Sequence, residues 1–413
     1  MGLTPMADRY VRPDWVRRLN TMGPAAGGDR WMVPLDAGAM IDDARASTGL
    51  ADPGDLGDGD WEGRFRALVA AVDGGDLHVV GRLMTREELA RGLRTRLLLA
   101  DRRRREPAIA DEAVEAPIVV TGPARSGTTI LFELLGLDPG LRTPVATEVL
   151  HPVLPPGAGE DERRAMTEAE QELWADVQPE FAAIHELRSD LPVECITICA
   201  PSFAGNHWSM ALTDQGSWAP DVAADLAFHR AVLQAVQFGR PPRRWLLKTP
   251  GYLLMLDDLL AAYPDACVIL THRDPARTMP STVSTTAMIQ WLRTDAVDLD
   301  GLSALIGAIF ADALATVARR RADGTLPGVH GDVRFADLMS DPVGAIAAAY
   351  GEIGRELTDD HRRAIVDYLA AKPRGKHGAH AYTAADWGFD AAAVRSDLAG
   401  YMAAFGVVAE DGA

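Results

Sequence analysis

The chain has 413 residues, enough for one large domain or two to three of average size, and its 47% hydrophobic and 24% charged residues describe a globular rather than a disordered protein. A formal charge of −18 speaks against nucleic acid or an anionic membrane as partner, because those surfaces call for a broad basic face. Three cysteines, Cys195, Cys199 and Cys267, lack metal or redox spacing and read as reduced, buried thiols.

The opening stretch MGLTPMADRYVRPDWVRRLN carries no apolar signal core. No later run approaches the ~18 apolar residues of a membrane span, so a cytoplasmic protein without an integral membrane segment is expected. Helical periodicity dominates the first hundred residues, broken by a loop rich in Gly and Asp over 51–60. Thr85 and Glu88 have capping-box spacing ahead of a helix whose basic end, Arg102 to Arg105, suits a helix C-terminus. Pro107 then stops the helix.

Beyond that point the texture changes. PIVVTG (117–122), RWLLKTP (244–250), ACVILTHRDP (266–275) and GDVRFADL (331–338) read as buried strands, each followed by a helical pattern. Strands alternating with helices imply an α/β fold, a parallel sheet flanked by helices on both faces. A helical N-terminal region (1–113) would precede an α/β domain (114–413), with ligands at the carboxyl ends of its strands. The segment 167–239 fits the alternation poorly and reads either as a substrate-binding lid or as a plain, largely helical insertion.

The first strand leads into Gly122-Pro123-Ala124-Arg125-Ser126-Gly127-Thr128-Thr129. The glycine spacing is that of a triphosphate P-loop, G-x-x-x-x-G-K-[ST], but Thr128 stands where the lysine would be. Backbone amides of a strand-to-helix turn converge on one small volume, and the helix dipole favours an anion there. Without the lysine nothing reaches a β/γ-phosphate. Arg125 instead places a cation inside the loop, and the hydroxyls of Thr128 and Thr129 can hold phosphate oxygens without a metal; no metal site is expected.

The run PARSGTT resembles the 5′-phosphosulfate loop of sulfotransferases that use 3′-phosphoadenosine 5′-phosphosulfate (PAPS). Three more motifs in the same order extend the resemblance over about residues 114–406. In LTHRDPARTMPST, Arg273 ends a strand and Ser281 follows about two helical turns later, like the family's 3′-phosphate site. RWLLKTP resembles the strand whose lysine, here Lys248, faces the bond to be broken. KPRGKHGAHAY resembles a carboxy-terminal glycine-containing loop that closes over the 3′-phosphate, with Arg374, Gly375 and Lys376 as its contacts.

The resemblance implies a bacterial-type sulfotransferase with a P-loop-like core. It would move a sulfuryl group from PAPS to a hydroxyl of a small-molecule, lipid or carbohydrate acceptor by in-line displacement, releasing 3′-phosphoadenosine 5′-phosphate (PAP). Arg125, Ser126, Gly127, Thr128 and Thr129 would hold the 5′ side, while Arg125 and Lys248 would offset charge on the transferring group. Some relatives carry a histidine base shortly after the lysine, but Pro250 and Tyr252 occupy those positions here. Glu148, shortly after the first loop, is the base expected instead, with His185 and His207 in reserve and Glu194 behind them. Phe203, Trp208 and Trp218 could line an acceptor pocket with His185 and His207, or simply pack a core.

Two other readings stay open. One is a triphosphate-dependent phosphotransferase with a degenerate P-loop, for which Asp274 would be the acidic metal-binding residue; the other is a non-catalytic nucleotide-binding module. The N-terminal helices could supply a homodimer contact, and the acceptor is not legible.

Overall fold

Five strands form an all-parallel sheet: β1 (Ile118–Thr121), β2 (Leu141–Arg142), β3 (Arg244–Lys248), β4 (Cys267–His272) and β5 (Val329–Arg334), in the order β2-β3-β1-β4-β5. The computed structural model describes residues 2–371 and 383–410. From β1 the chain runs to β2 and β3 on one side, then crosses to β4 and β5 on the other. Such a reversal opens a crevice at the carboxyl ends of the strands beside β1.

Side chains alternate across these strands and thereby sort into two cores. Ile118, Val120, Leu246 and Ile269 pack on the face covered by the helix Thr128–Leu135 and by Pro342–Glu352. Val119, Trp245, Leu247, Val268 and Leu270 pack on the opposite face, under the helices Val222–Gln237, Pro275–Trp291 and Leu299–Ala322. Met6, Val16, Val80, Met84 and Leu99 belong to this second core, so the N-terminal helices share their apolar interior with the sheet. The acidic composition is partly spent on helix starts: Asp36, Asp60, Asp221, Asp298, Asp341 and Asp390 each accept a backbone N–H at an N-cap.

Three expectations change, and the segment 167–239 follows the second of its two readings, a helical stretch packed on the core. β5 ends at Arg334, and the remainder of the fourth run is a helix, Phe335–Ser340, whose Phe335 and Leu338 pack at helical spacing beside Gly127. The long helix spans Val79–Arg105 and is capped by His78, which accepts from the Gly81 amide at 2.9 Å. Thr85 and Glu88 therefore lie inside it and form no capping box. The helix Leu299–Ala322 is, by length and composition, apolar enough to cross a membrane, with a mean hydropathy of 1.8 over its best window. Leu302, Ile306, Phe310, Leu314 and Val317 are nonetheless buried against the protein. Finally, the segment expected as an insertion is a chain of helices that starts at Glu160, and its last member, Val222–Gln237, covers the sheet as a core helix.

Glu88 is the hub that joins the N-terminal helices to the rest. Both of its carboxylate oxygens accept from Arg293 Nη2, at 2.8 and 2.9 Å, and His207 Nε2 lies 3.3 Å away. Burial alone would push this carboxyl up, but Arg293 and His207 outweigh it and hold it at about 2. Glu88→Gln leaves the buried Arg293 without a counter-charge and should cost about 3–5 kcal/mol of stability. A carboxyl depressed from 4.5 to about 2 contributes fully above its ordinary range and loses its effect as pH falls through about 2. Urea melts should therefore show a large deficit for the variant at neutral pH and a shrinking one in strong acid.

Candidate active site

The turn after β1 is built by close approach to β4. Gly122 has φ 144°, and a Cβ there would lie 2.2 Å from Thr271 Oγ1, so only glycine lets the two strands meet this way. Arg125 adopts φ 65° and Gly127 φ 92°, and the helix begins at Thr128. The buried Ser126 hydroxyl donates to the Pro123 carbonyl at 2.5 Å and bonds the Thr271 hydroxyl. Its side chain thus braces the loop, and an anion would meet its backbone. Arg273 adds a second brace, donating from Nη1 to the Arg125 carbonyl at 2.7 Å. The Arg125 side chain is exposed and, among the described residues, meets no acidic partner.

Lys248 ends β3 two residues beyond Leu246, hence on the sheet face that carries the Thr128–Leu135 helix. Its side chain is 2% exposed, and its ammonium donates to Thr129 Oγ1 at 3.1 Å and forms an ion pair with Glu194. Glu194 is placed there by its backbone neighbours: the Val193 amide donates to the Pro144 carbonyl at 2.8 Å, and the Ile196 amide to Thr249 Oγ1 at 3.2 Å. Burial would raise the Glu194 carboxyl, yet Lys248 and His185 hold it below its ordinary 4.5. His185 is pushed below 6.5 chiefly by burial, against the pull of Glu194. Lysine, carboxylate and neutral imidazole therefore share one site.

Glu148 is not part of that site. Its carboxylate pairs with Arg240 in the turn that leads into β3 at Arg244, whereas Lys248 is the last residue of that strand. Of the two carboxylates, it is the reserve candidate Glu194 and not Glu148 that meets Lys248. Phe203 and Trp208 pack in a core: both are fully buried among Phe65, Leu89 and Leu93, and the Trp208 indole donates to the Ala200 carbonyl at 2.8 Å, while Trp208 also borders a small crevice beside Thr85 and Arg293, away from Lys248. Trp218 lies in the same core. His207 is committed to Glu88. Pro250 starts a 3-10 turn and Tyr252 is buried with its phenol pushed well up, so neither replaces the absent histidine.

Arg273 follows β4 and stacks over the Phe335 ring at 3.8 Å; Ser281 is buried on the following helix. Arg374, Gly375 and Lys376 lie outside the described residues. Asp274 cannot serve as a metal ligand as it stands. It accepts from Arg395 Nη2 at 2.6 Å and from the amides of Ala276 and Glu410 at 3.0 and 2.8 Å. Burial would raise its carboxyl, but these donors hold it down. The Arg240 partner of Glu148, the Glu194 contact and the tail residue Glu410 had no signal in local spacing.

A model of the sulfotransferase family matches residues 117–359. The chain belongs to the sulfotransferase family. Among curated proteins it resembles the omega-hydroxy-beta-dihydromenaquinone-9 sulfotransferase Stf3 of Mycobacterium bovis and of Mycobacterium tuberculosis. Each is 26% identical over 281 residues, which cover 65% of this chain and 69% of the relative. Among solved structures, sulfotransferase STF9 from Mycobacterium avium superposes with a TM-score of 0.76 at 23% identity, covering 91% of this chain and 98% of that one. Sulfotransferase STF1 from Mycobacterium tuberculosis gives 0.70 at 27% identity, covering 88% and 98%. This sulfotransferase therefore carries the family's α/β fold and transfers a sulfuryl group, with its strained loop and Lys248 at the carboxyl edge of the sheet.

The loop brace is testable without any substrate. Gly122→Ala forces a side chain into positive φ and into Thr271, so it should lose at least about 2 kcal/mol in denaturant melts. Gly74→Ala, where a Cβ meets nothing within 4 Å, should stay within about 1 kcal/mol of wild type.

Proposed function

We propose that this sulfotransferase takes its sulfuryl group from PAPS and passes it to a hydroxyl of a lipid-like acceptor, with Glu194 as the base. The observation that carries the reading is the ion pair of Lys248 with Glu194, set against Thr129 of the loop. The residues present suit a phosphosulfate. Loop amides and a helix N-terminus face one volume, Arg125 brings an exposed guanidinium to its rim, and Lys248 reaches in from β3. Arg273 and Ser281 would take the 3′-phosphate, with a fork suited to two phosphate oxygens.

In this scheme the acceptor oxygen forms a bond to sulfur as the bond from sulfur to the bridging oxygen breaks. The hydroxyl proton passes to Glu194, and the electron pair of the broken bond stays on the 5′-phosphate of PAP. Lys248 and Arg125 offset the negative charge that grows on the leaving oxygen. As Glu194 gains a proton its hold on Lys248 weakens, which frees the ammonium for the leaving group. The Stf3 relatives are named for a hydroxylated menaquinone, which makes an apolar alcohol the first acceptor class to test.

Incubation with labelled PAPS and a lipid extract, followed by mass spectrometry, should reveal a sulfated product; transfer only to sugars or soluble phenols would overturn the acceptor class. With that acceptor, Glu194→Gln should lower kcat about 100-fold or more, while Glu148→Gln stays near wild type. The reverse pattern would restore Glu148 as base. A base must be deprotonated, and Glu194 sits below 4.5, so the acid limb of kcat/KM should lie below that pH. A limb near 6.5 would instead mark a histidine. Arg273→Ala should weaken PAP binding by about 10- to 100-fold, as loss of charge-assisted hydrogen bonds predicts, and an unchanged calorimetric Kd would sink the 3′-phosphate assignment.

A further inference from the structure

After the last helix, Ala399–Phe405, the chain turns back to the carboxyl edge of the sheet and places Glu410 on Arg273. The contact is bidentate: Arg273 Nε donates to Oε1 and Nη2 to Oε2, both at 2.7 Å. The tail is also held by its backbone. The Glu410 amide donates to Asp274 Oδ2 at 2.8 Å, and Arg395 Nη2 donates to the Glu410 carbonyl at 2.8 Å. Arg273 is simultaneously stacked on Phe335 and bonded to the Arg125 carbonyl of the loop. Its donors on the Nε–Nη2 edge, the edge shaped for two oxygens of one anion, are therefore occupied by a carboxylate from the same chain.

We infer that Glu410 is an internal stand-in for the nucleotide's 3′-phosphate, a competing ligand that must leave Arg273 before the donor binds and that returns when PAP departs. The inference rests on the assignment of Arg273 proposed above. Carboxylate and phosphate cannot share one fork, since both are anions and the same two N–H groups serve each. The exchange needs little motion, because the helix ending at Phe405 stays packed through Tyr401 and Phe405 against His272, leaving a short segment to swing. In the closed state Glu410 keeps Arg273 aligned while its Nη1 goes on bracing the loop. The competitor lowers affinity for donor and product alike, so it favours release of a product that carries the same 3′-phosphate.

The test uses calorimetry with PAP and with adenosine 5′-phosphosulfate, which lacks the 3′-phosphate. Glu410→Gln keeps the size of the side chain and removes its charge. The variant should bind PAP about 5- to 30-fold more tightly, the gain expected when a competitor that occupies most molecules is removed, and adenosine 5′-phosphosulfate with unchanged affinity. A chain ended after Val408 should reproduce the gain and guards against a local effect of the glutamine. Equal or weaker PAP binding by both would overturn the inference. Arg273→Ala separates the two ideas: if it leaves PAP affinity intact, the site assignment fails. If it weakens PAP while the Glu410 variants bind no more tightly, only the tail inference fails.

Discussion

The approach of Gly122 to Thr271 is the constraint on which the site depends. Because β1 and β4 come together without a side chain between them, the turn after β1 must run at positive φ through Gly122, Arg125 and Gly127. That conformation is stored strain, of order 1–3 kcal/mol per non-glycine residue, and it persists only where neighbours over-determine it. Here the neighbours are the Ser126 hydroxyl, bonded to Thr271, and Arg273, bonded to the Arg125 carbonyl. Both braces come from the end of β4. The strand that would bind one end of the nucleotide therefore also shapes the loop for the other.

Alternation along the strands decides which groups can reach this loop. Lys248 shares the parity of Leu246 and so faces the helix that starts at Thr128. Arg273 shares the parity of Ile269 and Thr271, and it lands on Phe335 and the loop. His272, one residue away, points to the opposite face, where it stacks on Phe405 at 4.0 Å. A shift of one residue in either strand would exchange these faces, so the register of the sheet is itself a determinant of the chemistry.

The same physics explains what could be read beforehand. Four of the five strands and the loop were legible because short apolar runs, glycines and turn residues act locally. β2 was not, since two residues carry no period. Thr85 and Glu88 have the spacing of a cap, but tertiary burial beside Arg293 draws Glu88 into the interior. Phe203 and Trp208 looked equally fit for a pocket or a core, and only the packing of Phe65 against Phe203, at 4.8 Å between ring centroids, distinguishes the two. Glu194 was harder still. Its place beside Lys248 follows from backbone bonds of Val193 and Ile196 to distant segments, which no local pattern encodes.

Charge compensation gives the site its resting character. In a chain of net charge −18, two of the trio Lys248, Arg273 and Arg125 already hold carboxylates: Lys248 holds Glu194, and Arg273 holds Glu410. Arg125 alone of the three has no acidic partner among the described residues. An uncompensated trio of cations around a strained turn would repel one another and stay tightly hydrated, and removing that water would oppose a ligand. Internal carboxylates keep the cations oriented and their fields balanced until an anion arrives. Binding at such a site is then an exchange of one anion for another, and its free energy depends as much on the carboxylates that let go as on the phosphates that take hold.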